Sequence, residues 1–165
     1  MTSDDIKLIS VIIGVLGFAF GLYQYWKSRP RFQFRMFKSS EPNVDECGTY
    51  LCAQLYISNV GGKSGLFGGF IAVDDKGEEY YPISTFKIDQ EIKPEATISG
   101  IIPIGHIISY PPNKLFMQDG VFRKHKIPTK MLKNTINELK LEKKRYEDHG
   151  WAIHPTQHIK SVLAP

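Results

Sequence analysis

The stretch from Leu8 to Trp26 constrains this chain more than any other, because it is nineteen residues long and contains no charged residue. As a helix rising about 1.5 Å per residue, it would measure roughly 28 Å, close to the thickness of a bilayer's hydrocarbon core. Ten of its residues are Leu, Ile, Val or Phe, and each contributes about −0.3 to −0.6 kcal/mol to insertion near a helix centre. The stretch therefore predicts one transmembrane helix over 8–26.

Two other interpretations fit an apolar run near the N-terminus. A buried core helix would be apolar all round, but this run is longer than a small domain usually hides. A cleaved signal peptide would have small residues, such as Ala19 and Gly21, before its cleavage site. The preceding residues 1–7, however, carry two acids and one lysine rather than a basic cluster. An uncleaved signal-anchor is therefore the preferred prediction.

The charges that flank the run predict its orientation. Asp4, Asp5 and Lys7 precede it, and the basic residues that follow it are Lys27, Arg29, Arg31, Arg35 and Lys38. Lys and Arg resist translocation, so the basic side stays in the cytoplasm. We therefore expect a single-pass membrane protein with residues 1–7 outside, 27–30 as a basic juxtamembrane linker, and the rest in the cytoplasm. The residues expected at the membrane interface are Tyr23, Tyr25, Trp26, Lys27, Arg29 and Arg31.

Small residues recur within the apolar run at spacings of four, three and four. At 100° per residue they fall within about 60° of one another, so they form a single stripe on the helix. In lipid, helices associate where small residues let their backbones approach closely. The stripe therefore predicts helix packing, with a second copy or with a partner. Its residues are Ser10, Gly14, Gly17 and Gly21.

From Arg31 onward the pattern changes to the alternation of β-strands. Apolar and polar residues alternate in RFQFRMF (31–37) and in TYLCAQLYIS (49–58), with the polar SSEPNVDECG (39–48) as a turn between them. Further strands are predicted in 66–75 and 78–84, around a turn at 75–77, and in apolar material within 96–110. Asp119-Gly120, between two alternating runs, predicts a hairpin.

About seven short strands in 31–127, separated by turns, predict a mainly-β domain of the immunoglobulin-like sandwich type, with a small β-barrel as the alternative. The resemblance is to the general sandwich architecture. Cys47 and Cys52 lie near one strand, and no Trp stands between Trp26 and Trp151, so the Cys…Trp…Cys signature of immunoglobulin domains is missing.

Residues 128–149 have helical periodicity and predict a C-terminal amphipathic basic helix, followed by a tail over 150–165. A run of basic residues is most often a solvated face, but headgroups or an anionic ligand are alternatives. No aromatic residues interleave the lysines, so we expect no nucleic-acid partner. The residues of this possible anionic-surface contact are Arg123, Lys124, Lys126, Lys130, Lys133, Lys140, Lys143, Lys144 and Arg145.

Motifs for chemistry are weak. Gly62-Lys63-Ser64 resembles the end of a phosphate-binding loop, but Ile57 stands where the first glycine is required, and a strand rather than a helix is predicted to follow. The three histidines at 149, 154 and 158 have no nearby cysteine and are more typical of a surface than of a metal site. Mid-strand Cys52 is most simply a small core residue. We therefore expect no catalytic residue, metal or cofactor, and a non-enzymatic protein.

Two classes of function remain. In the first, the chain is an anchored interaction subunit: its cytoplasmic β-domain docks a protein partner, and its span packs into an oligomer or a larger membrane assembly. In the second, it is a membrane effector whose cytoplasmic domain senses a ligand and whose spans then cluster and perturb the bilayer. The second class resembles, in architecture alone, small anchored effectors of prokaryotic antiviral systems. The first is preferred.

Overall fold

The computed structural model describes residues 3–43 and 48–151. Helix α1 covers Ser3–Ser28, so it extends beyond the predicted span of 8–26 at both ends. It takes in most of the predicted leader and the first half of the predicted linker, 27–30. The helix ends just before Pro30, because proline lacks a backbone N–H and disfavours helical geometry in the residue before it.

Within α1, Ile9–Ser28 is long and apolar enough to cross a membrane, judged by length and composition. None of this window is buried against the rest of the chain. Side chains on different sides of the helix, such as Val11, Leu16 and Phe18, are each more than 60% exposed. The helix therefore does not form part of this domain's core, which removes the buried-core interpretation for the described chain.

A first antiparallel sheet is built on a long hairpin. Strand β1 covers Phe32–Asn43 and β2 covers Gly48–Asn59, and their pairing runs without a break from Phe32↔Asn59 to Asn43↔Gly48. Strand β6, Thr97–Pro103, pairs with the other edge of β2. The prediction of a turn over 39–48 was too wide, because backbone pairing continues through polar residues that show no alternation of hydropathy.

A second antiparallel sheet is centred on β3. Its strand order is β4–β3–β7–β8, and β5 also pairs with β3. The strands are β3 Gly65–Val73, β4 Glu79–Tyr80, β5 Gln90–Ile92, β7 Lys114–Asp119 and β8 Lys124–Lys126. The coarse prediction, an apolar N-terminal helix followed by a mainly-β domain, is thus confirmed, and its strands form two separate sheets rather than one.

Both sheets contribute to one hydrophobic core. The predicted inward face of β2 is confirmed, since Leu51, Ala53, Leu55 and Ile57 are each at most 2% exposed. From the second sheet, side chains such as Phe67 join the same cluster. This shared burial fixes the strand register, because a slip by one residue would turn every inward side chain of β2 toward solvent.

Three local predictions were wrong in detail. The β7–β8 hairpin does not turn at Asp119-Gly120 alone: Gln118 pairs with Lys124, so the loop spans five residues. The apolar material after β6 forms a short helix, α2, Gly105–Ile108. No strand was predicted at β5, Gln90–Ile92. Each of these segments is short, and a short apolar run does not distinguish strand from helix by periodicity.

Helix α3 covers Thr129–Asp148, against a predicted range of 128–149. Leu132, Ile136 and Leu139 are buried in the common core. The hydroxyl of Thr135, which is also buried, donates a hydrogen bond to the backbone carbonyl of Met36 at 3.2 Å. The helix thus covers the free edge of β1, which is the position where an unprotected strand would invite pairing with another chain.

Candidate functional site

The glycine stripe of α1 faces open space. A Cβ atom added to Gly14, Gly17 or Gly21 would meet nothing within 4 Å. Ser10 lies on the same side of the helix by the geometry of 100° per residue. The predicted stripe is therefore accessible to a neighbouring helix, and no side chain within 3–43 or 48–151 fills the space above its three glycines.

At the end of α1, two arginines fold back over aromatic rings. The guanidinium of Arg29 lies 4.4 Å from the ring centroid of Tyr25, and that of Arg31 lies 5.2 Å from the ring of Trp26. Both distances are within the range of cation–π attraction. Four of the six predicted interface residues are thus brought together in pairs. The other two, Tyr23 and Lys27, are exposed on the last turns of the helix.

A fully buried side chain, Asn59, lies beneath this joint. Its Oδ1 accepts hydrogen bonds from the backbone N–H groups of Arg31 at 3.2 Å and Gly61 at 2.9 Å. Its Nδ2 donates to the carbonyls of Lys63 at 2.8 Å and Ile92 at 2.9 Å. An asparagine amide has two donor hydrogens and two acceptor lone pairs, so all four are used. The side chain ties the start of β1 to the loop before β3 and to β5.

The loop between β2 and β3 lies directly against the chain that leaves α1. A Cβ on Gly61 would be 2.0 Å from the carbonyl oxygen of Arg29 and 2.8 Å from Cα of Pro30. A Cβ on Gly62 would lie 3.3 Å from the carbonyl oxygen of Lys27. These glycines are therefore needed for a close backbone approach. The chain continues from Ser64 into β3, so the phosphate-loop-like sequence does not open a helix.

The role of Asn59 was not predicted from the sequence. The residue opens a polar stretch, N-V-G-G-K-S-G (59–65), in which Asn and Gly are ordinary turn residues. Its partners at 31, 63 and 92 are brought together by the tertiary fold, so no local pattern identifies them. The adjacent glycine pair was the one available signal, because neighbouring glycines often mark a place where two backbones approach closely.

The nine predicted basic residues are divided between two elements. Arg123, Lys124 and Lys126 belong to the β7–β8 hairpin, and the other six lie on α3. At 100° per residue, four of those six fall within an arc of about 80° on the solvent side of α3. These four are Lys130, Lys133, Lys140 and Lys144.

Among the residues that the structure describes, three of the nine basic residues are paired with carboxylates. Lys124 lies 2.6 Å from Glu79, Lys143 lies 3.6 Å from Glu147, and Arg145 lies 3.9 Å from Glu142. Such exposed pairs contribute little to stability, typically about 0.2–1 kcal/mol each. These pairs neutralise part of the basic run, so it does not present nine unopposed charges to one ligand.

A groove of about 430 Å³ runs between β1 and α3, lined in part by Phe37, Met131 and Glu138. Beyond it, Lys38 of β1 contacts Glu142 of α3 at 2.7 Å. Hydrogen bonding to Lys38 lowers the pKa of the Glu142 carboxyl below its usual value, and partial burial acts in the opposite direction. The ion pair thus joins the edge strand to the helix that covers it.

The β7–β8 hairpin contains an acid–histidine pair that was not predicted from the sequence. Asp119 is 4% exposed, and its Oδ2 lies 2.9 Å from Nε2 of His125. Its Oδ1 accepts hydrogen bonds from the N–H groups of Val121 at 3.1 Å and Arg123 at 2.8 Å. Burial raises the pKa of Asp119, but these hydrogen bonds outweigh it, so the net shift is downward.

The remaining predicted groups are placed as follows. Cys52 is buried, with its thiol 3.7 Å from the carbonyl oxygen of Ser39. His149 packs its ring against Trp151 at 4.9 Å. Cys47 and the histidines at 154 and 158 lie outside the described residues. Within 3–43 and 48–151, no three or more His, Cys, Asp or Glu side chains form a group that could hold a metal ion.

Comparison of this chain with protein-family models, with curated proteins and with solved structures gives no match. The function must therefore be inferred from the geometry of this chain. Its most distinctive geometry is the joint between α1 and the sheets, where Asn59, Gly61 and the two arginine–aromatic pairs converge.

Proposed function

We propose that this chain is a non-enzymatic, single-pass membrane protein whose β-domain docks a protein partner in the cytoplasm. The observation that carries the proposal is the joint below α1. An exposed apolar helix enters the domain through three residues, 29–31. Hydrogen bonds with Asn59 and Val60 hold this segment at Arg31, and the backbone of Gly61 packs closely against it. A joint of this kind presents the domain at a fixed height and orientation beside the bilayer, as docking requires.

The charge asymmetry around α1 supports an N-out, C-in orientation. Basic residues such as Lys27, Arg29 and Arg31 stand at its C-terminal end, and Asp4 and Asp5 precede the apolar run. Two of the arginines lie over aromatic rings at 4.4 and 5.2 Å. Aromatic and basic residues are enriched where a helix meets the headgroups, so the pairs suit an interfacial position.

The strand order supports an immunoglobulin-like sandwich. The sheets are ordered β1–β2–β6 and β4–β3–β7–β8. If β1, β2, β3, β4, β6, β7 and β8 are taken as strands A, B, C, C′, E, F and G, these become A–B–E and C′–C–F–G. The arrangement of C, F and G with an added C′ is that of immunoglobulin-like domains. Many cell-surface and adhesion domains use this architecture for binding.

Open space above Gly14, Gly17 and Gly21 supports packing of α1 into an oligomer or a larger membrane assembly. The lysines on the outer side of α3 support a basic amphipathic helix, with a solvated face opposite its buried one. In this proposal, the membrane helix sets the assembly and the β-domain selects the partner.

The topology test uses the full chain expressed in bacterial cells, with an epitope tag after Met1 and a second tag after Pro165. Protease added to intact spheroplasts should remove the first tag and leave the second attached to a protected β-domain. After lysis, both tags should be lost. Digestion of the β-domain in intact spheroplasts, or a mature N-terminus within the apolar run, would contradict the proposal.

Membrane potential distinguishes the docking subunit from a membrane effector. A docking subunit should leave cells polarised when it is overproduced, because its spans only anchor and assemble. The contrary result would be depolarisation by the wild-type chain but not by Gly17→Leu, at equal membrane levels of both proteins. It would reject the docking function and support clustering of spans that perturbs the bilayer.

A further inference from the structure

The loop between β7 and β8 carries two apolar side chains into solvent. Val121 is 65% exposed and Phe122 is 80% exposed. Among the residues whose burial is described, Phe122 is the most exposed large apolar side chain. These two side chains lie next to each other at a loop tip and are not part of the core, so they are available for a contact outside the chain.

The loop holds this geometry by a dense set of hydrogen bonds. Phe122 has a φ of 61°, a left-handed conformation that is strained for a residue with a large side chain. The carboxylate of Asp119 accepts hydrogen bonds from the N–H groups of Val121 and Arg123. The N–H of Phe122 donates to the Asp119 carbonyl at 2.9 Å. The tip is therefore held in its exposed, strained form before it meets any partner.

The loop lies at the end of the domain from which α1 leaves. The N–H of Gly120 donates to the carbonyl of Leu66 at 3.1 Å. A Cβ on the preceding residue, Gly65, would touch the ring of Phe32 and the side chain of Pro30. The ring of His125, just after the loop, lies 4.9 Å from Phe32. The tip is thus beside the joint, at the level where the chain emerges from the helix.

We propose that the β7–β8 loop is a second membrane contact, which inserts Val121 and Phe122 into the headgroup region of the same bilayer that α1 spans. This inference rests on the proposed function, since it requires α1 to be in the membrane. The adjacent Arg123 is exposed and matches the negative charge of a cytoplasmic leaflet. An apolar loop tip beside a basic residue is typical of segments that contact lipid at the membrane interface. Because the tip lies beside the end of α1, a contact with lipid is favoured over a contact with a protein partner.

The test measures quenching of a single tryptophan by brominated lipids, with the full chain in nanodiscs that contain anionic lipid. Trp26→Phe and Trp151→Phe remove the native indoles, and Phe122→Trp then places one at the loop tip. The control variant, Tyr81→Trp, places the single tryptophan at a position that is 72% exposed. Its neighbour Tyr80 pairs with Ala72, near the opposite end of β3 from Gly65. Quenching at position 122 should exceed that at position 81 by at least about twofold, with a blue-shifted emission.

Equal quenching at the two positions, in variants with native melting temperatures, would overturn the loop contact. Protection of position 122 by a protein partner, without quenching by lipid, would also overturn it. A separate variant that keeps Trp26 and carries only Trp151→Phe reports on the anchor. Quenching of Trp26 without quenching at position 122 would reject the loop contact and leave the proposed function standing. Absence of quenching at Trp26 would reject both, because the loop contact requires an inserted α1.

Discussion

At the scale of single residues, one amide determines how the N-terminal apolar helix α1 joins the sheets. Asn59 is fully buried and uses all four of its hydrogen-bonding positions on four different residues. A buried polar group of this kind contributes a modest net stability when satisfied, but its removal leaves several buried partners without hydrogen bonds. Asn59 therefore contributes to stability mainly by satisfying the hydrogen-bonding groups of its four partners, and less by its own burial.

Asn59→Leu should destabilise the domain strongly. Leucine has the same branched shape but is larger, and it cannot bond the N–H groups of Arg31 and Gly61 or the carbonyls of Lys63 and Ile92. Each unsatisfied buried group costs about 1–3 kcal/mol. We expect the free energy of unfolding to fall by about 3 kcal/mol or more, measured by denaturant titration of the full chain in detergent. The matched control is Asn134→Ala, an exposed change on α3 that should alter stability by less than about 0.5 kcal/mol. Similar stabilities for both variants would contradict the central role of this amide.

Asp119 gives a pH dependence with a defined sign. Its pKa is lowered in the folded chain, because the hydrogen bonds from His125 and from two backbone N–H groups outweigh burial. A lowered folded pKa means that the stabilisation is complete above the unfolded pKa, about 3.9, and is lost as the pH falls through the folded value. Asp119→Asn should therefore be less stable than wild type at neutral pH and should show a shallower loss of stability below about pH 4. Parallel pH profiles of unfolding for the two proteins would argue against the assignment.

At the scale of elements, local pattern predicts a segment well where burial alternates or is continuous. The inward face of β2 followed from Leu51, Ala53, Leu55 and Ile57, and the apolar run gave the centre of α1. Local pattern does not predict an element whose position depends on its pairing with distant residues. Strand β5 is three residues long and is defined by its pairing to β3, and the extension of β1 past Lys38 depends on backbone pairing with β2. Long-range partners of this kind leave no periodic signal.

The glycine stripe of α1 predicts a difference between the two sides of the helix. Gly17→Leu or Gly21→Leu should weaken association of α1, because a bulky side chain keeps a neighbouring backbone several ångströms away. Ala19→Leu is the matched control: it also enlarges a small residue, but it lies about 160° from both glycines on the helix. Cross-linking in membranes or a reporter of helix association provides the readout. Equal association of all three variants would mean that the stripe is incidental to assembly.

At the scale of the whole molecule, the helix and the domain meet without a flexible linker. Residues 29–31 alone separate α1 from β1. The N–H of Val60 donates to the carbonyl of Arg31 at 2.7 Å, and Gly61 lies against the same three residues. The composition of the segment, with its basic residues and proline, indicated a linker, but how tightly it is held depends on contacts that the sequence does not reveal.

Gly61→Ala should change the angle between helix and domain more than it changes the fold of either. Its Cβ would meet the carbonyl oxygen of Arg29 at 2.0 Å, so the two backbones must separate. Spin labels on α1 and on β7, in nanodiscs, should give a shifted or broadened distance distribution, while the far-UV spectrum stays native. Gly14→Ala, where an added Cβ meets nothing within 4 Å, should leave the distribution unchanged. An unaltered distribution in Gly61→Ala would contradict this prediction, because the joint would then accommodate the added Cβ without a change of angle.

Because no flexible linker separates α1 from β1, the joint transmits rotation of the helix to the β-domain. If α1 turns about its own axis, the sheets must turn with it, since Asn59 and Val60 bond the backbone of Arg31 and Gly61 lies against Arg29 and Pro30. In a two-fold dimer packed through the glycine stripe, the form of assembly proposed above, the position of the stripe around α1 would therefore also determine which side of the β-domain faces the second copy. Moving the stripe around the helix by one residue, about 100°, would swing a different face of the domain toward its neighbour, although no residue of the domain had changed.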